Sequence, residues 1–315
     1  MTNPVMILTD SSVYLPNDLI DKYPIRIMPF SLNWDGMTYR DGVDIHAKEF
    51  YERLSSSNSI PTTSQVTSGE LHQNIHSLLE EGYDVLLLLI SSGLSSSYLT
   101  AVNEMKKFPR NRVAILDTKL VSMPLGFQVL AAARAAMAGA NLAECQQVAQ
   151  QVYGNIGAYF TVDNLKYLAA GGRINTAKRL LGSAINIKPV LQLRDGKIEL
   201  VCSVISQRKA IVRMLDLAEE AIGGRTPVYI SICHTLVEEQ AQELLETARA
   251  RYSPGEIFLS DLSPVIGTHV GPGVLAIIYM AGVEESIPLC NASGLLKMPQ
   301  DNQMQTVATG EPAYI

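Results

Sequence analysis

The chain has 315 residues, 47% hydrophobic and 18% charged, with a formal net charge of -6. That length accommodates two ordinary domains, and the apolar content excludes a disordered chain. The acidic balance and the lack of a dense Lys/Arg stripe argue against a nucleic-acid partner, whose phosphates need a clustered basic surface.

Cys145, Cys202, Cys233 and Cys290 are scattered, with no C-x-x-C pair. Neither a zinc site nor a disulfide framework is expected, and they read as buried thiols in a reducing compartment. Met1–Val5 lacks the pattern of a secretory signal, and no run approaches the roughly 20 apolar residues of a membrane span. A cytoplasmic protein is therefore expected, in which the sequon at Asn291–Ser293 has no role.

Val5–Thr9 reads as the first strand. The following Asp10-Ser11-Ser12 either binds a ligand or caps the short helix expected near Leu15–Ile20. Ile25–Trp34 reads as one strand, turning at Asp35-Gly36 into a return strand, Met37–Arg40. His46–Ser55 has helical spacing. Ile60–Gln65 is extended and polar, with Pro61 biasing its predecessor away from helix. A helix follows from Ser68 to about Glu81.

Asp84–Thr100 is the most informative stretch. The apolar run Val85–Ile90 predicts a buried parallel strand. It leads into Ser91-Ser92-Gly93-Leu94-Ser95-Ser96-Ser97 and then a helical pattern. In open α/β sheets, ligands bind beyond the carboxyl ends of the strands, and a helix start offers unpaired N–H groups to an anion. Ser95-Ser96 is thus a candidate anion seat, and a serine-rich cap explains the same residues. A strand at Arg112–Leu116, the pair Asp117-Thr118, and helices over Leu125–Ala138 and Leu142–Tyr153 complete a βαβα order. That order implies a mostly parallel sheet with helices on both faces.

A second unit starts near residue 157. Ala158–Val162 is strand-like, Asn164–Ala170 helical, and Gly171-Gly172-Arg173-Ile174 precedes another helix reaching Leu181. Asn186–Leu193 and Lys197–Ile205 form a hairpin around Asp195-Gly196. Then come a helix (Gln207–Ala221), a strand (Val228–Ile232), a helix (Val237–Arg251), a strand (Ile257–Leu262), the turn His269-Val270-Gly271-Pro272-Gly273, and the apolar Val274–Met280. The expected organisation is an N-terminal α/β domain, 1–156, a C-terminal α/β domain with a mixed sheet, 157–282, and an unassigned tail, 283–315.

No Walker A loop, dinucleotide fingerprint or nucleophile elbow is present. His72 and His76 share a helix face, but Gln73 stands where a zinc-protease motif needs Glu, so surface histidines are expected. His269 beside a Gly-Pro-Gly turn, and Arg173 after two glycines, are candidate oxyanion contacts. A loop histidine and an exposed arginine beyond a helix end are the alternatives.

Taken together, Thr9-Asp10-Ser11-Ser12, Thr63-Ser64-Gln65, Ser92-Gly93-Leu94-Ser95, Asp117-Thr118, Gly171-Gly172-Arg173-Ile174 and His269–Gly273 resemble the DegV family in order and spacing over roughly Val5–Met280. The resemblance implies a two-domain α/β protein that binds one long-chain fatty acid and needs no cofactor. It also implies a non-catalytic subunit that presents the carboxylate to a separate kinase for acyl-phosphate formation. Carried over by motif, the carboxylate contacts fall on Thr63, Ser95 and the Ser96 N–H, with Arg173 and His269 near the head group. Two positions depart from the family pattern. Ser96-Ser97 stand where Gly-Thr is usual, and Val66-Thr67 where Pro-Ser is usual. Alternatives are a fatty-acid carrier or sensor without a kinase, a Ser95 hydrolase, and a phosphotransferase related to dihydroxyacetone kinase.

Overall fold

The computed structural model describes residues 3–57, 59–182 and 187–283. Cys290, the sequon, the tail from 284 onward and the first residue of the predicted 186–193 strand lie outside the described residues.

The first half contains β1 (Val5–Asp10), α1 (Asn17–Lys22), β2 (Ile25–Met28), β3 (Ser31–Trp34), β4 (Met37–Arg40), α2 (Ala47–Ser56), β5 (Thr62–Ser64), α3 (Ser68–Glu80), β6 (Asp84–Leu89), α4 (Ser97–Met105) and β7 (Val113–Asp117). Strands β2-β1-β6-β7 form a parallel sheet, while β4-β3-β5 form a separate antiparallel one. The predicted single strand over Ile25–Trp34 is therefore two strands in two sheets, broken at Pro29-Phe30. Proline lacks the N–H that a continuing ladder requires.

Helices α5 (Ser122–Met137) and α6 (Leu142–Val152) follow. The second half then supplies β8 (Ile156–Thr161), α7 (Lys166–Ala170), β9 (Lys188–Arg194), β10 (Lys197–Val204), α8 (Gln207–Ile222), β11 (Val228–His234), α9 (Glu238–Tyr252), β12 (Glu256–Asp261), α10 (Pro264–Val270) and β13 (Leu275–Ala281). Its six strands are ordered β10-β9-β8-β13-β11-β12, antiparallel except for β11-β12. Asn175–Leu180 is a 3-10 helix. Cys145 and Cys233 are buried thiols, and Cys202 is partly exposed.

Helix α5 is apolar around its whole circumference, as a fully buried helix must be. It packs against β1 and β6 of the parallel sheet and β8 and β13 of the mixed sheet. Its one charge, Arg134, reaches the Tyr23 hydroxyl at 3.4 Å. Helices α3 and α4 cover the other face of the parallel sheet, and α8 and α9 the outer face of the mixed sheet. The layers are thus helix, sheet, helix, sheet, helix. Among the described residues no helix is long and apolar enough to cross a membrane.

The β9–β10 turn docks directly on the chain leaving β6. Ser91 Oγ donates to Gly196 O at 2.8 Å, and a Cβ at Gly93 would sit 2.4 Å from that same carbonyl. Backbone cannot yield as a side-chain tip can. Gly93→Ala is therefore expected to lower stability by about 1–3 kcal/mol, measured as a shift in the urea midpoint.

Candidate ligand-binding site

Val85–Ile90 are buried between β1 and β7, so polar groups wait until the strand ends. At that point Leu94 N and Ser95 N both donate to Ser91 O at 3.0 Å, closing a tight turn. Asp117, at the end of β7, accepts from the backbone N–H and the hydroxyl of Ser92. Ser95 Oγ lies 2.9 Å from Ser97 Oγ and accepts from Ser97 N at 3.3 Å. The capping and anion-seat readings of this turn therefore fall on the same atoms.

Ser96, where the family pattern has glycine, adopts φ -80° and ψ 3°. No glycine is needed at that conformation, and serine is accommodated there without backbone strain. Its hydroxyl donates to Gln65 Oε1 at 2.7 Å, and Gln65 Nε2 donates to Thr100 Oγ1 at 2.7 Å. Gln65 thus fastens the chain after β5 to α4. Gln65 stands inside a sequence motif, but local pattern assigns it no role, because its partners are 31 and 35 residues away.

Thr63 is held in β5 by pairing with Leu32. Its Oγ1 is 2.8 Å from His269 Nε2. His269 does not lie in a loop, as the sequence suggested, but in the last turn of α10, which Ser263 caps through Ile266 N and Pro264 opens. Proline suits a first helical position because the N–H it lacks would be unpaired there. Sequence periodicity missed α10, because a seven-residue helix offers less than two full repeats.

Burial, and then the nearby Arg173 cation, lower the His269 pKa to about 4. Its Nδ1 is buried without a hydrogen-bond partner and faces Gly171, where a Cβ would stand 2.3 Å away. An orphaned N–H is rarer in buried sites than an under-used acceptor. The ring proton is accordingly assigned to Nε2, which donates to Thr63 and leaves the threonine hydroxyl proton for another acceptor. Arg173 Nε donates to Leu94 O at 2.9 Å, and its guanidinium also reaches Gly171 O. Arg173 thereby ties the serine turn to the two-glycine turn.

Thr63, Ser95, Ser96, Arg173 and His269 all line one cavity of about 410 Å³. Beyond them, and apart from Ser64, Gln65 and Ser122, the wall is apolar. Ala158 and Phe160 of β8, and Ala276 and Ile278 of β13, contribute to it. These alternate residues share one sheet face, while Tyr159 and Ile277 point to the α8 side. Along β8 and β13, then, only every second residue faces the cavity, and from β9 only Leu193 does so. Phe30, Leu94, Val265 and Ile266 also line it and were not anticipated. They carry no signal in sequence beyond being apolar.

His72 and His76 lie outside this site. His72 Nδ1 bonds Glu104 at 2.7 Å and His76 pairs with Glu80 at 3.3 Å. Among the described residues no group of three or more side chains could hold a metal.

The depressed His269 pKa has a consequence for stability. The unfolded chain takes up a proton at this residue near pH 6.5, and the folded chain only near pH 4. Stability is expected to fall as pH drops across that window. In thermal melts His269→Asn should lessen that fall relative to the native protein, and an unchanged pH profile would overturn the assignment.

Known proteins resemble this chain in sequence and in fold. The family model described as "Uncharacterised protein, DegV family" matches residues 4–282. A DegV domain-containing protein of Listeria monocytogenes is 31% identical over 280 residues, spanning 89% of this chain and 99% of that protein. Protein DegV of Bacillus subtilis is 30% identical over 277 residues, spanning 87% and 98%. Among solved structures, a fatty-acid-binding DegV family protein from Thermus thermophilus aligns with a TM-score of 0.83 at 29% identity, covering 89% of this chain and 100% of its own. DegV of Bacillus subtilis, a fatty acid binding protein, aligns with a TM-score of 0.81 at 29% identity, covering 89% and 100%. A match that runs through nearly every element described above, at both the sequence and the fold level, places this chain in the DegV family.

Proposed function

We propose that this protein binds one long-chain fatty acid in the cavity between its sheets and presents the carboxylate to a separate kinase subunit. The observation that carries this reading is a single cavity with an apolar wall and a cluster of neutral hydroxyl donors. Its volume lies within the range of ordinary ligand pockets. A dozen buried methylenes contribute about 10 kcal/mol before the costs of association. The carboxylate needs hydrogen bonds once it leaves water. Thr63, Ser95 and the Ser96 N–H supply them without adding a positive charge, so an oxygen stays nucleophilic. The kinase would transfer the γ-phosphoryl group of ATP to that oxygen, releasing ADP. Arg173 and His269 would meet the phosphoryl group. No cofactor enters this scheme.

The reading takes residues 1–156 as the domain carrying the carboxylate loops, and 157–282 as the domain supplying the GGRI and HVGPG motifs. It places the protein in the cytoplasm, with transient membrane-surface contact for lipid exchange. A carrier or sensor without a kinase would use the same cavity. A Ser95 hydrolase is less well supported, since the partner of Ser95 Oγ is Ser97 Oγ and His269 is engaged by Thr63.

Native mass spectrometry of the purified protein should show one fatty acid per chain. Its absence, even after lipid is added, would sink the reading. Thr63→Ala and Ser95→Ala should each weaken binding about 10- to 100-fold, as expected for a lost hydrogen bond to a charged group. Arg173→Ala and His269→Ala should retain lipid and lose acyl-phosphate formation with ATP and a cognate kinase. Loss of lipid from both would refute that division of roles.

A further inference from the structure

The Asp10-Ser11-Ser12 stretch does not line the cavity, yet two buried carboxyl groups meet there. Asp10 is fully buried. Its Oδ1 accepts from Ser12 N at 3.1 Å and Ser12 Oγ at 2.5 Å, and its Oδ2 accepts from Ile90 N at 2.8 Å. Asp41, just after β4, is 3% exposed. Its Oδ2 accepts from Ser11 Oγ at 2.7 Å, and Ser11 Oγ in turn accepts from Phe30 N at 3.0 Å. The Val265 N–H is directed at the same carboxyl group, whose Oδ1 has no fully formed hydrogen bond. Ile90, Phe30 and Val265 come from three separate segments. They pack as one buried apolar cluster, and all three line the cavity.

We propose that Asp10 and Asp41 are positioning residues for the ligand cavity, fixing the wall formed by Phe30, Ile90 and Val265 through Ser11 and through main-chain N–H groups. These wall residues sit where chains leave sheets or enter a helix, so their N–H groups lack ladder partners. A carboxyl group is a strong acceptor for them. Two buried acids are a costly way to stabilise a fold, since apolar replacements usually serve as well. What they supply is a defined place for three segments distant in sequence.

The two acids differ chemically. Both oxygens of Asp10 act as acceptors, so Asp10→Asn turns one into a donor facing an N–H. Asp41 accepts a side-chain hydrogen bond at Oδ2 alone, so Asp41→Asn can keep the Ser11 contact through its amide oxygen while removing the charge. Burial foremost, with the charge of Asp10 adding to it, raises the Asp41 pKa to about 7. The titratable groups facing Asp41 are Tyr14 and Tyr51 of α2, and Asp261 of β12 faces those two tyrosines in turn. Burial holds both tyrosines above their ordinary range. Asp261 lies beside His234 and Glu238, Arg40 and Asp44 pair with each other, and His269 on α10 has its pKa near 4. Burial raises the Asp10 pKa as well, so the pair resists carrying two negative charges, and full ionisation is expected to loosen the wall and lower affinity as pH rises through 7.

This inference rests on the fatty-acid reading above. The test titrates the full chain and its variants with a fluorescent long-chain fatty acid from about pH 6 to about pH 8.5, alongside urea melts. The native protein should lose affinity across that range, and Asp41→Asn should bind as well as the native protein at the acid end and lose less at the alkaline end. Asp10→Asn and Ser11→Ala, measured where the melts show them folded, should bind about tenfold more weakly. Should Asp10→Asn fail to fold, Ser11→Ala and Asp41→Asn still decide. Native binding with variants indistinguishable from it overturns the positioning roles alone. No binding by the native protein at any pH overturns the fatty-acid reading, and this inference with it.

Discussion

Two sheets that each present an apolar face must bury those faces against something. Here helix α5 packs against both of them. The helix begins at Ser122, and Val121, Ser122 and Pro124 border the cavity. The cavity is therefore the part of the inter-sheet space that α5 does not occupy. Water gains little against an apolar wall, and a flexible apolar ligand would cover the surfaces that the fold leaves uncovered.

The polar side of the cavity follows from the same layering. Between Asp84 and its end β6 carries no polar side chain, so hydroxyls collect in the turn beyond it, where most main-chain N–H groups already have partners. The second half of the chain then brings α10 and the two-glycine turn against that edge. His269 is kept neutral by its burial and by Arg173, so it acts as a hydrogen-bond donor to Thr63 rather than as a counter-ion. Arg173 spends donors on two main-chain carbonyls, which fixes the serine turn relative to the second sheet. In the proposed reading, neutral donors hold the ligand's head group and the Arg173 cation handles a more highly charged species.

Much of this was legible before any coordinates. The strand at Val85–Ile90, the hairpin at Asp195-Gly196 and the long helices carry strong periodic or turn signals. The five site residues came through motif resemblance, and they line one cavity although none of the motifs is specific alone. Three features were not legible. The break at Pro29-Phe30 puts one apolar run into two sheets. Helix α10 is too short for periodicity to register. Gln65, Asp10 and Asp41 act through partners far away in sequence, so local pattern showed at most a cap.

The amino-acid sequence by itself determined the order and type of most elements, because hydrophobic period, turn residues and helix caps are properties of neighbours along the chain. It also determined that serine, threonine, arginine and histidine would stand at the ends of those elements. Only the tertiary structure decided that these ends meet, which alternate residues of β8 and β13 face inward, and that two carboxyl groups lie buried behind the wall. Those outcomes depend on how sheets pack across α5. The contacts that set that packing join residues tens to hundreds of positions apart, where no local rule operates.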